Sequence, residues 1–242
     1  MTRLTVFGLD PGLGMTGYAL AAVDPVAGTI ADVFEVGIIQ TQRTKLRAVR
    51  KTSDDLRRAR EHVAALRRIT SSRHIDIVAA EMVTITPYTY PTFSFGVMTG
   101  ILAGLEQPIV EVLPYEVKVA ATGNERAGKQ EIIEWALGLP SSALLSWPSS
   151  PRTNRLGIAY RGEFISKAAE HPADALAVIQ AALRTEQFRL AMRLNANMSP
   201  WPERLEPDAR AEVRSAPLTD CANLPGFRDL PNTHQFRTEP VV

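Results

Sequence analysis

The stretch Leu4-Thr-Val-Phe-Gly-Leu-Asp10-Pro-Gly-Leu-Gly-Met-Thr16-Gly17-Tyr-Ala-Leu-Ala-Ala-Val23 decides how the fold begins. Two apolar runs flank a glycine-rich turn, which is typical of a strand, a tight turn and a second strand. Asp10 ends the first run, where a carboxylate packs poorly in a core and is well placed to hold a cation. The alternative is that Asp10 only bonds the turn backbone, as Asp before Pro-Gly often does.

The remaining apolar runs predict a mixed sheet. Three strands within residues 4–40 are joined by short turns, so they are expected to be antiparallel neighbours. Runs at 74–80 and 108–112 predict two further strands, with helical segments between them. We expect an α/β fold: a mixed five-stranded sheet, three antiparallel strands first, and helices on both faces. Strands one and four would then end side by side, which brings Asp10 close to Glu81.

A basic segment follows the third strand. Between Arg43 and Arg73 there are eleven Lys or Arg residues against three acids, and this excess favours a polyanionic partner. Helical spacing over 53–70, with Ser53 as the N-cap, puts apolar residues on one face and arginines on the other. The arginines expected to contact DNA are Arg57, Arg58, Arg67 and Arg68. The alternative is a solvated helix face without a partner.

Residues 82–95 hold two prolines and four aromatic residues, which predicts a loop with aromatic side chains at or near its surface. Tyr88, Tyr90 and Phe93 are candidates for stacking on unpaired bases, each worth about 1–3 kcal/mol. Packing at a dimer surface or in the core explains them equally well.

The C-terminal half is less regular. Residues 140–169 indicate an inserted loop, and a strong helix is expected from His171 to Leu183, continuing to about Leu194. Pro172 suits the first turn of that helix. We expect residues 1–197 to form one domain that includes this loop. The Pro-rich tail over 198–242 is expected to be disordered or loosely docked.

Cys221 is the only cysteine, so no disulfide forms within the chain, which fits a reducing compartment. No run approaches the roughly 20 apolar residues that span a bilayer, and no signal-peptide pattern precedes the first strand. A cytoplasmic location is expected.

Three carboxylates converge in the predicted fold: Asp10 and Glu81 at strand ends and Asp174 at the start of the last helix. His171 lies three residues before Asp174 and can face the same cleft. Hard oxygen ligands favour Mg²⁺ or Mn²⁺, and two such ions support phosphodiester hydrolysis. Alternatively, Glu81 pairs with an arginine and Asp174 is an acid favoured by the helix dipole. An acidic centre within basic surroundings favours a nuclease.

These residues resemble the RuvC family of Holliday-junction resolvases, which have the ribonuclease H-like fold. The matching stretches occur in the family's order across roughly residues 4–184: Gly8-Leu-Asp10-Pro-Gly with Thr16-Gly17-Tyr18, Ile77-Val-Ala-Ala-Glu81, Val117-Lys118 followed by Gly128-Lys129, and His171-Pro-Ala-Asp174-Ala-Leu-Ala177.

The resemblance implies a homodimer that binds four-way DNA junctions, nicks two strands symmetrically, and cooperates with branch-migration machinery. It implies that Asp10, Glu81 and Asp174 bind metal, with His171 in a fourth position that is Asp or His among members. Lys118 and Lys129 match residues that contact DNA near the scissile phosphate.

Other functions remain open at this point. They are a branched-DNA or flap endonuclease with relaxed selectivity, a non-catalytic junction-binding protein, and an ATPase related to actin and sugar kinases. The last would need a second Asp-x-Gly phosphate turn, which the sequence lacks.

Overall fold

The computed structural model of this chain describes residues 3–82, 89–149, 159–160 and 163–197. The side chains of 89–92, 159–160, 163–164 and 195–197 are also outside that description. The expectations for Tyr88, for the side chain of Tyr90 and for the tail over 198–242 therefore concern parts of the chain outside the described residues.

One mixed sheet forms the centre of the fold. Its strands are β1 Leu4–Asp10, β2 Met15–Asp24, β3 Thr29–Gln40, β4 Ile77–Glu81 and β5 Ile109–Val112, in the spatial order β3-β2-β1-β4-β5. β1, β2 and β3 pair antiparallel, whereas β4 is parallel to both β1 and β5. The expected five-stranded sheet, with three antiparallel strands first, is confirmed.

The register of the sheet brings the two strand-end acids together. Leu9 of β1 pairs with Ala80 of β4, so the next residue of each strand is an acid, Asp10 and Glu81. Across the antiparallel pair, Asp10 faces Gly17 of β2. The strand ends therefore form one edge at which the functional side chains can meet.

Helices cover both faces of the sheet, as expected. The helices are α1 Lys51–Ser72, α2 Thr89–Leu102, α3 Pro114–Thr122, α4 Lys129–Leu137, α5 Glu170–Ala182 and α6 Glu186–Asn197. Residues of α1 and α2 share a core with one sheet face, which includes Phe7, Leu20 and Leu66. Residues of α3, α4, α5 and α6 share the core on the other face, where α5 is buried along almost its whole length.

Several helix boundaries differ from the sequence prediction. α1 begins at Lys51 with Arg50 as its N-cap, so Ser53 lies inside the helix and is not the N-cap. α2 begins at Thr89, so residues 89–95 are helical where a loop was expected; Pro91 lies in the first turn, where its missing N–H leaves no bond unmade. The last helix does not continue to Leu194. It ends at Ala182, and α6 starts anew where the Thr185 hydroxyl accepts the N–H of Phe188 at 3.1 Å.

The expected loop over 140–169 contains short regular pieces. They are 3-10 turns at Ser142–Leu144 and Lys167–Ala169 and a small hairpin of β6 Ala159–Tyr160 and β7 Glu163–Phe164. In the described part of the chain, no helix has the length and apolar character needed to cross a bilayer.

Candidate active site

The candidate site lies where β1, β4 and α5 meet. Asp10 and Glu81 are the last residues of their strands, and Asp174 lies one turn into α5. All three carboxylates are partly buried and close enough to affect one another's protonation. The convergence of these three acids was a sequence prediction, and the structure brings them together.

Two glycines allow α5 to approach the sheet closely. A Cβ atom on Gly8 of β1 would lie 2.2 Å from the carbonyl oxygen of Ala175, and one on Gly17 of β2 would lie 2.1 Å from that of His171. Real Cβ atoms do not come so close to backbone oxygens, so only glycine fits at these positions. The absence of two side chains from the sheet thus brings His171 and Asp174 up to Asp10.

His171 is bonded to Asp10. Its Nδ1 lies 2.8 Å from Oδ2 of Asp10, and its Nε2 lies 3.9 Å from Oε1 of Glu170. A carboxylate only accepts, so Nδ1–H donates to Asp10. This hydrogen bond raises the pKa of His171 above its ordinary value, against the opposing effect of burial. In this arrangement His171 orients the Asp10 carboxylate.

The pKa values of Glu81 and Asp174 are both raised, since burial and the charges of nearby acids outweigh the effect of the neighbouring cations. Burial raises the pKa of Glu81 to about 7, and the charges of Asp10 and Asp174 add to the rise while Lys118 opposes it. Burial also raises the pKa of Asp174 to about 7, with contributions from Asp10 and Glu170, and the charges of His171 and Lys129 oppose it. A cation between these carboxylates would remove the repulsion that holds their protons.

The donor chemistry suits a hard divalent ion. Carboxylate oxygens at three positions are the ligands that Mg²⁺ and Mn²⁺ take. Within the described residues, no three His, Cys, Asp or Glu side chains already stand in a ligand arrangement, and Asp10 is bonded to His171 instead. A bound ion would therefore require these side chains to turn toward it.

Both predicted lysines lie beside the acids. The charge of Lys118 on α3 lowers the pKa of Glu81, and the charge of Lys129, the first residue of α4, lowers the pKa of Asp174. The Nζ atom of Lys129 lies 2.6 Å from Oε2 of Glu170. The sequence prediction did not include Glu170, although an acid next to His171 at the start of a helix could have been recognised as a candidate.

Arg58 was expected on a DNA-facing surface, and this expectation is wrong. Its side chain is only 5 % exposed. Arg58 donates from Nη2 to the carbonyl of Leu13 at 2.7 Å, from Nε to Thr41 Oγ1 at 3.0 Å, and from Nη1 to Asp55 Oδ1 at 3.3 Å. The guanidinium therefore supports the loop that follows Asp10.

His62 completes this support from the same helix face. It is fully buried, and its Nε2–H donates to the same Leu13 carbonyl at 3.1 Å. Burial lowers its pKa, which keeps the ring neutral. The inward face of α1 thus contains Asp55, Arg58 and His62 as well as Leu66, while the apolar side chain of Leu56 is exposed. The loop carbonyls require donors, and that requirement overrides the apolar pattern.

The other predicted arginines are at the surface. Arg57 is 45 % exposed and paired with Asp54 and Glu61 of its own helix. Arg67 and Arg68 are exposed, and Arg68 lines a groove with Tyr18 and Glu35. Phe93 on α2 is 48 % exposed, which keeps it available for stacking.

Known proteins are similar in sequence to the part of the chain that carries most of this site. The family model described as Crossover junction endodeoxyribonuclease RuvC matches residues 6–139, a segment that includes Asp10, Glu81, Lys118 and Lys129. The protein of that name from Parafrankia sp. (strain EAN1pec) is 31% identical over 155 residues, which cover 62% of this chain and 78% of the relative. The one from Synechococcus sp. (strain CC9311) is 30% identical over 143 residues, covering 54% and 81%.

Solved structures share the fold. Thermus thermophilus RuvC in complex with Holliday junction substrate superposes with a TM-score of 0.51 at 20% identity, over 78% of this chain and 96% of that one. A second Thermus thermophilus RuvC structure gives 0.50 at 20% identity, over 74% and 92%. The ribonuclease H-like fold expected from the sequence is confirmed.

Proposed function

The chain belongs to the RuvC family of crossover junction endodeoxyribonucleases, and on that premise we propose that Asp10, Glu81 and Asp174 hold the divalent metal with which it cleaves four-way DNA junctions. The observation that carries the proposal is the convergence of three partly buried carboxylates and two lysines, from five separate elements, at one edge of the sheet. Membership of a nuclease family argues against an ATPase related to actin and sugar kinases and against a non-catalytic junction-binding protein.

The acids have two tasks in this proposal. Two divalent ions, Mg²⁺ or Mn²⁺, would supply an activated water and neutralise charge on the departing oxygen when bound. Asp10 can share an ion with either of the other acids, because β1 pairs with β4, which carries Glu81, and Asp10 contacts His171 of α5, which carries Asp174. Glu81 and Asp174, with pKa values of about 7 without metal, give up their protons when a cation compensates the repulsion.

His171 keeps Asp10 in place by donating from Nδ1. Its Nε2 atom then faces the Glu170 side, where it can accept a proton or bind an ion. A neutral imidazole brings a ligand without adding another negative charge to the acids. We assign His171 to the metal site as the fourth member of the group.

The lysines contact the DNA. Carboxylates repel a phosphodiester, and the ammonium groups of Lys118 and Lys129 reduce that repulsion on either side of the acids. Each can also offset charge that develops on the phosphoryl oxygens. Exposed Arg67 and Arg68 extend the positive surface along α1, whereas Arg58 supports the Asp10 loop and makes no contact with DNA.

The wider assembly is proposed from the family and from α2. The active unit is a homodimer on branched DNA, since symmetric cutting of a junction needs two sites. Gly96 and Gly100 are exposed on α2 and leave open space beside the helix, where a second copy can approach closely. Phe93 of the same helix stacks on unpaired bases at the junction. Residues 1–197 constitute the nuclease domain, and branch-migration machinery supplies the substrate.

A cleavage assay tests the proposal. Four-way, three-way, flap and linear duplex DNA are compared at nucleotide resolution with Mg²⁺, with Mn²⁺ and with EDTA. We expect paired nicks in the four-way junction that require the divalent ion, and none with Asp10→Asn, which still binds the junction. Equal cutting of all branched forms would replace junction selectivity with a general branched-DNA activity.

A further inference from the structure

Lys129 and Glu170 form an ion pair beside the acids, with Nζ 2.6 Å from Oε2. We propose that Glu170 is a positioning residue that holds the Lys129 ammonium beside the carboxylates, ready for the scissile phosphate. The proposal rests on the assignment of Lys129 to the phosphate given above. It adds a residue that neither the family motif nor the sequence reading contained.

The pair has one anchored and one mobile member. The Glu170 side chain is 12 % exposed, and that of Lys129 is 59 % exposed. Glu170 opens α5, and Lys129 opens α4. Both helices are held by one core, which contains Ile133 of α4 and Leu176 of α5. The position of the carboxylate is therefore set by the core, and the flexible lysine is the group that it restrains.

Helix electrostatics explain why the lysine needs a partner. A cation at a helix N-terminus is disfavoured by the helix dipole, and Lys129 is the first residue of α4. A free lysine also loses rotamer entropy when it is ordered. Glu170 stands at a helix N-terminus, where an anion is favoured, and its carboxylate offsets both costs.

The position of Glu170 is electrostatically unfavourable, so folding stability does not explain why an acid lies there. Its carboxylate adds negative charge next to Asp174 and lies 3.9 Å from Nε2 of His171. A further carboxylate beside these acids has a function if it binds the Lys129 ammonium and holds that cation near them. The ammonium has three N–H donors, so an ion pair with Glu170 leaves donors for phosphate oxygens.

Two variants and a control separate positioning from charge. Glu170→Gln removes the charge, and Glu170→Asp keeps the charge but shortens the side chain by one methylene, so that the ammonium it holds is displaced from its position beside the carboxylates. Glu134→Gln is the control, since Glu134 is an exposed acid on α4 that bonds Gln130 at 2.9 Å. Junction affinity in EDTA and the single-turnover cleavage rate constant are measured for each protein.

We expect cleavage to fall about tenfold in both Glu170 variants, because a reacting group has moved. Junction affinity in EDTA should be kept or increased, since Lys129 is freed. Glu134→Gln should match the wild type in both measurements. Unchanged cleavage in Glu170→Gln, or wild-type cleavage in Glu170→Asp, would overturn the proposal.

A second measurement does not depend on cleavage. Acetylation of each lysine by an amine reagent is followed by peptide mass spectrometry, with exposed Lys45 as the internal reference. Lys129 should react several-fold faster in Glu170→Gln than in the wild type, and equal rates would overturn the pair. If the rates differ while the wild type cuts no branched DNA, the ion pair stands and the proposed nuclease function fails.

Discussion

The imidazole Nδ1 of His171 lies 2.8 Å from Oδ2 of Asp10, although the two residues are 161 positions apart in the chain. The contact joins the end of the first strand to the start of α5, and it engages the carboxylate that we propose as a metal ligand. His171→Ala should lower junction cleavage by about a hundredfold, because Asp10 loses its orientation. His74→Ala, which changes an exposed histidine bonded to Asp76, should leave cleavage unchanged. Junction binding in EDTA should be the same for both variants, and a parallel loss of binding would argue against a role in positioning Asp10.

Glu81 should impair stability while it supports activity. Burial and the charges of Asp10 and Asp174 disfavour its ionised form, so Glu81→Gln should raise the melting temperature of the metal-free protein at pH 8 and abolish cleavage. Calorimetry in EDTA measures the first effect, with Glu106→Gln as an exposed control. A lower melting temperature for Glu81→Gln would mean that the carboxylate is compensated in the folded protein.

The same charges predict how stability depends on pH. The pKa values of Glu81 and Asp174 in the folded protein are about 7, above the ordinary values of 4.5 and 3.8 for these groups. Between those limits the folded state binds more protons than the unfolded state, so their contribution to stability is full at low pH and is lost as the pH rises through 7. The raised pKa of His171 gives a contribution with the same sign.

Divalent metal should reverse this trend. A bound ion favours the ionised carboxylates, so the increase in melting temperature on adding Mn²⁺ should be larger at pH 8 than at pH 5.5. Differential scanning fluorimetry at both values checks this expectation. An equal increase at both, or the same increase in a protein carrying Asp10→Asn and Asp174→Asn, would place the ion elsewhere.

The close approach of α5 makes Gly17 irreplaceable. In Gly17→Ala the new methyl group meets the carbonyl of His171 at 2.1 Å, which should cost about 1–3 kcal/mol of folding free energy and shift His171 away from Asp10. Gly14→Ala is the matched control, since its methyl group would lie 3.7 Å from Arg58 Nη2, an ordinary contact. Urea unfolding and cleavage rates should both separate the two variants.

Adjacent arginines on α1 should behave differently. Arg58→Met leaves Asp55 buried without its partner and removes donors to Leu13, so it should destabilise the protein by about 3–5 kcal/mol. Arg57→Met removes the ion pairs that a half-exposed arginine makes with Asp54 and Glu61, and it should destabilise the protein much less. Chemical denaturation of both variants measures the difference, and similar values would contradict the buried role of Arg58.

Sequence reasoning succeeded where the signal is local or repeated along the chain. The strand ends at Asp10 and Glu81, the short turns and the helix that carries His171 and Asp174 all follow from apolar runs and turn residues. It failed on α1, where Asp55, Arg58 and His62 recur at helical spacing and so carried a signal that the basic composition obscured. It also failed at Thr185, since one capping residue is a weak reason to divide a helical pattern.

The sequence by itself determined the elements, their order and the residue types available at the strand ends, because turn chemistry and hydrophobic periodicity act between near neighbours. Only the tertiary structure decided which of those residues share a site. The pairs Asp10–His171 and Lys129–Glu170 depend on how closely α5 packs on the sheet and against α4, and that distance is set by Gly8, Gly17 and the shared core. Burial then made one arginine a support for the Asp10 loop and left its neighbour in solvent, a difference that two identical side chains cannot reveal in sequence.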